Sequence, residues 1–130
     1  MADTLTQELL RLNQKLLDSI VLTDWKTYAE LCDPTLTCFE PEAKGQLVEG
    51  MDFHHFYFQL AGTPTPHNTM MASPHVRVMG NVAVISYVRL NQRVHADGSP
   101  VTRSVEETRV WQKQGGVWKH VHFHRSAPSK

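Results

Sequence analysis

Three arginines, Arg89, Arg109 and Arg125, stand on three predicted β-strands at positions whose parity can turn them toward a common interior. Glu107 is the only carboxylate on those strands placed to answer them. Such a set carries surplus positive charge into a partly desolvated space and attracts a small carboxylate, whose geometry matches a guanidinium fork. Glu40 and Glu42 flank Pro41 after an earlier predicted strand, where a carboxylate could act as a general base. Glu40 or His54 would serve as that base in a small isomerase, lyase or cyclase acting on a carboxylate-bearing substrate, with Tyr28 or Tyr87 as a phenol donor. The neighbouring arginines are expected to hold Glu40 ionised, which weakens this catalytic alternative. His120, His122 and His124 alternate along one strand, a spacing able to share a divalent metal. With no carboxylate on that strand to complete a ligand set, they are read as a polar face at a subunit contact, and no metal or cofactor is assigned.

The elements that position these residues follow from periodicity and punctuation. Leu5, Leu9, Leu12, Leu16 and Ile20 recur at helical spacing behind a cap at Asp3 or Thr4. Asp24 caps a short second helix carrying Trp25, Tyr28 and Leu31, stopped by Asp33-Pro34. Residues 36–40 read as a strand, 41–50 as a loop, 51–60 as a third helix and 61–68 as a turn-rich connection. Strands are predicted over 69–79, 82–94, 102–113 and 117–125, separated by Gly80-Asn81, the stretch 96–100 and Gly115-Gly116.

The last turn decides which residues share a face. A two-residue Gly115-Gly116 loop pairs Arg109 with His122. A longer loop with a bulge instead gathers Glu107, Arg109, Trp111, Val121, Phe123 and Arg125 on one side. The second register makes the better apolar core and is favoured. The order of elements predicts an α+β domain, helices packed on one face of a curved antiparallel sheet, in the manner of the cystatin-like, nuclear-transport-factor-2-like cone.

Composition removes several function classes. The 130 residues form one domain, and 13 basic against 13 acidic side chains leave no basic excess for phosphate neutralisation, so no nucleic-acid partner is expected. No apolar run approaches a membrane span, and the N-terminus lacks the pattern of a secretory signal, so a cytoplasmic location and no membrane association are expected. Cys32 and Cys38 are read as buried free thiols. A neutral chain with only 20% charged residues tends to associate, with Trp118 and Phe123 as candidate interface contributors.

Four stretches carry a resemblance to one family. CDPTLTCFEPEAKGQLVEGMDFHHFYF (32–58), SPHVRVMG (73–80), EETRVW (106–111) and VHFHRSAPS (121–129) are similar, in the same order, to the association or hub domain of calcium/calmodulin-dependent protein kinase type II. The resemblance implies a cystatin-like fold and self-assembly, as a homodimer or as stacked rings. It also implies a pocket for small carboxylates, with Arg89, Arg109 and Arg125 as its arginines and His54 as its histidine. These 130 residues resemble neither the kinase domain nor its calmodulin-binding helix, and a stand-alone, non-catalytic domain is expected. His55 departs from the arginine usual in the family, and the 61–68 connection is shorter.

Overall fold

The computed structural model describes residues 3–60 and 66–127. The connection read over 61–68 lies largely outside them. Helix α1 (Thr4–Val21) starts at Asp3, whose carboxylate accepts from the Thr6 N–H at 2.6 Å. Helix α2 (Trp25–Leu31) is capped by Asp24. Strand β1 (Cys32–Phe39) follows with no intervening residue, four residues earlier than predicted. Asp33-Pro34 does not separate helix from strand. Pro34 lies where the β1 pairing with the last strand is interrupted between Cys32 and Thr37, and its missing N–H costs no ladder bond there. A 3-10 turn (Pro41–Ala43) and a two-residue strand β2 (Val48–Glu49) occupy the predicted loop, and helix α3 (Asp52–Gln59) comes next.

Four long strands complete the sheet: β3 (His67–Met79), β4 (Val82–Val94), β5 (Pro100–Gln114) and β6 (Val117–Arg125). The order is β2-β1-β6-β5-β4-β3, antiparallel throughout except where β1 runs parallel to β6. One face packs against the helices. Leu9, Leu16 and Leu17 of α1, Tyr28 of α2, Leu36 and Cys38 of β1, and Ile85, Trp111 and Phe123 of the sheet form the core. Asn13, wholly buried, accepts from the Trp111 indole N–H at 3.0 Å and donates to the Met71 sulfur at 3.3 Å. Asn13→Leu is expected to destabilise the fold by about 1–3 kcal/mol, the cost of orphaning a buried donor, read from the shift in urea midpoint.

Both sequence registers occur on the β5–β6 pair. Gly115 and Gly116, at φ +56° and +85°, make the two-residue turn, which pairs Gln114 with Val117 and Trp111 with His120. A bulge between Val110 and Trp111 on the ladder then absorbs Val121 and changes the parity, so that Arg109 faces Phe123 and Glu107 faces Arg125. The favoured register is therefore found beyond the bulge, while Val121 is the unpaired residue. The bulge also splits the histidine run. His120 is wholly buried on the helix-packed face, whereas His122 and His124 lie on the other. Trp118 and Phe123 are 6% and 3% exposed and belong to the core rather than to a free surface.

Candidate functional site: an arginine–glutamate cavity

Alternation along β4 and β5 sends Tyr87, Arg89, Glu107 and Arg109 to the same face, with Tyr87 opposite Glu107. Glu107 is the hub of this group. Its carboxylate accepts from the Tyr87 hydroxyl at 2.6 Å, from Arg89 Nη1 at 3.2 Å, and from Arg109 through Nε and Nη2, each at 3.2 Å. Burial alone would raise its pKa, but the charges of Arg109 and Arg89 outweigh burial and hold the carboxyl below its usual range. Arg89 also donates to Thr69 Oγ1 at 2.8 Å. Arg109 lies 4.3 Å above the Phe123 ring and directs Nη1 at His120 Nε2, 3.4 Å away. Because a guanidinium only donates, that contact puts the His120 proton on Nδ1, facing the Cys32 sulfur at 3.4 Å.

A second group stands beside it. The parallel pairing of β1 with β6 brings the end of β1 to Arg125, which bonds Glu40 Oε2 at 3.3 Å and Glu42 Oε1. Helix α3 lays His54 across the same place, with Nδ1 3.7 Å from Glu40 Oε1 and Nε2 3.8 Å from the Cys38 sulfur. Burial, reinforced by the charge of Arg109, lowers the His54 pKa to about 4, so the ring is neutral near pH 7. Glu40 differs from expectation: its burial outweighs the attraction of Arg125, and its pKa is raised rather than lowered. Burial pushes the Cys38 thiol up to about 12. Both cysteines are free and buried.

These groups surround a cavity of about 490 Å³, and Tyr28, Glu40, His54, Arg89, Arg109 and Arg125 all line it. The acids answering the three arginines are three rather than one, since Glu40 and Glu42 join Glu107. The positive excess comes from a residue the sequence reading missed. Arg93, exposed at the rim, has no carboxylate partner among the described residues. Its position four residues beyond Arg89 on one strand was the signal that could have found it. Of the two candidate phenols, Tyr87 donates to Glu107, and Tyr28 lines the cavity. His55 points away and stacks on Trp25, ring centroids 4.4 Å apart.

No helix among the described residues is long and apolar enough to cross a membrane. The family described as "Calcium/calmodulin dependent protein kinase II association domain" matches residues 5–129. The delta subunit of calcium/calmodulin-dependent protein kinase type II from Oryctolagus cuniculus is 47% identical over 123 residues, 92% of this chain and 23% of that subunit's length. The hub homology domain of Chlamydomonas reinhardtii superposes with a TM-score of 0.89 at 50% identity, covering 95% of this chain and 98% of that one. A protein of cystatin-like fold from Novosphingobium aromaticivorans, described as NTF2-like, reaches a TM-score of 0.77 at 12% identity, over 93% of this chain and 80% of its own, and speaks to the fold alone. The architecture is thus the cystatin-like, nuclear-transport-factor-2-like α+β cone, and the chain belongs to the calcium/calmodulin-dependent protein kinase II association-domain family.

Proposed function

We propose that this chain is a non-catalytic self-association domain whose cavity accepts a small carboxylate. The observation that carries the first half is the outer face of the sheet. All three helices pack on the opposite face, through Asn13 on Trp111 for α1 and through Tyr28 and His54 near Phe123 for α2 and α3. The face left over carries apolar pairs, Met70 with Leu90, Ala72 with Val88, and Val84 with Val110, set among the polar side chains of Arg77, Ser86, Ser104, Glu106 and Thr108. A sheet face left to water in a monomer reads polar at such positions. A second copy laid on this face buries them. Leu90→Asp is expected to lower the native mass in light scattering while the far-ultraviolet circular dichroism stays unchanged; an unchanged mass would remove the face from the assembly.

For the second half, the support is the mouth of the cavity, where Arg93 supplies the unpaired charge and Arg125 shares its own between two glutamates. Butyrate titrated into the protein is expected to bind, more weakly as salt rises. Arg93→Ser is expected to weaken it by about two- to fivefold, as for a solvent-exposed ion pair. Absence of butyrate binding at low salt would contradict the carboxylate reading and leave the assembly reading untouched.

A further inference from the structure

Cys38, Glu40 and His54 offer a sulfur, an oxygen and a nitrogen that all lie within 4.8 Å of one another. We propose that these three side chains bind a zinc-class divalent ion beside the cavity that Glu40 and His54 line. The placement follows from the fold. Cys38 is the penultimate residue of β1 and Glu40 stands two residues on, so the strand period turns both to one side, and α3 lays His54 over them. Two elements from different parts of the chain thus meet on one point.

One donor pair already has the spacing of a tetrahedral ion, and the carboxylate must close in from within 4.8 Å. Metal–ligand bonds of about 2.0–2.3 Å require donors about 3.3–3.8 Å apart. Cys38 Sγ and His54 Nε2 already stand 3.8 Å apart. Glu40 Oε2 is occupied by Arg125, and Oε1, which lies 3.7 Å from the other ring nitrogen, Nδ1, is the atom left to turn toward an ion held by Nε2. A thiolate, an imidazole and a carboxylate match zinc and its transition-metal analogues, whereas magnesium and calcium take oxygen donors. Three protein ligands leave a fourth position, and Glu40 and His54 line the cavity on its side. On binding, the Cys38 S–H bond is replaced by a sulfur–metal bond and one proton is released to solvent. The thiolate and carboxylate together balance the two charges of the ion, so the adjacent arginines face a centre with no net charge. The inference does not rest on carboxylate binding or on assembly. It also displaces the histidine run as the metal candidate, because His120 is turned inward from His122 and His124.

The test is a titration of tag-free, chelator-stripped protein with cobalt(II) alone. One equivalent is expected to give a thiolate-to-cobalt charge-transfer band that zinc displaces. The band is expected to vanish in Cys38→Ser and to persist in Cys32→Ser and in His122→Gln. Glu40→Gln, which leaves the core untouched, is expected to weaken cobalt binding about tenfold or more, and it provides the reading should Cys38→Ser fail to fold. No charge-transfer band at one equivalent would overturn the proposal. So would a band that follows Cys32, or cobalt binding that Glu40→Gln leaves unchanged.

Discussion

Replacing Glu107 with glutamine is expected to cost about 3–5 kcal/mol of folding free energy, the loss typical of breaking a buried ion cluster on one side. The residue is 2% exposed, and its carboxylate accepts from Tyr87, Arg89 and Arg109. Glutamine removes the negative charge, leaves two buried guanidiniums unanswered, and points an amide N–H at their donors. Urea unfolding at fixed protein concentration measures the loss, since assembly ties stability to concentration. Tyr87→Phe, which deletes one hydrogen bond and keeps both ion pairs, is expected to cost only about 0.5–1.5 kcal/mol. Equal effects of the two substitutions would contradict the central role given to the carboxylate. The sign of the pH dependence follows as well. A carboxyl held below its usual range contributes stability that is present above pH 4.5 and is lost as pH falls through the folded value.

Acid is expected to weaken the metal-free protein already below about pH 6.5. His54 and His120 are both buried, and burial together with the charge of Arg109 lowers their pKa values. In the unfolded chain each titrates near 6.5, so as pH falls the unfolded state binds protons that the native state refuses. For His54 the window runs from 6.5 to about 4, which amounts to about 3 kcal/mol. His120 extends the loss to lower pH. Glu40 acts with the opposite sign: its raised pKa makes its charge a penalty near neutrality, which is relieved as pH falls through the folded value. The histidines face Arg109, Glu40 and the two thiols, and none of these gains a stabilising charge in that window. Urea midpoints between pH 7 and 4, taken with a chelator present, are expected to fall steadily, and His54→Gln is expected to flatten the slope. A midpoint constant over that range would contradict the account.

How much of this was legible in the sequence depends on the range of the interaction that decides it. The leucine stripe of α1 and the alternation of Ala83, Ile85, Tyr87 and Arg89 on β4 are local patterns, and they carried the helix, the strand and its inward face. The Gly115-Gly116 turn is also local, yet the parity of β6 is not. A bulge at Val121 lets Trp111 and Phe123 both enter the core, and that depends on packing against α1 and α3 rather than on any residue near the turn. The same bulge overturned the placement of His120. The partners of Arg125 were missed for a related reason: β1 and β6 are 85 residues apart at that contact, and no period links Glu40 to Arg125. Pro34 read as a breaker because the gap in the β1–β6 ladder that tolerates it exists only once the sheet has formed.

The central claim, that this domain associates through the outer face of its sheet, is tested most directly by native mass. Light scattering coupled to size exclusion, on untagged protein across a concentration series in the micromolar range, is the measurement. The account predicts a mass of two or more chains that does not change with dilution. The mass of one 130-residue chain at every concentration would contradict it.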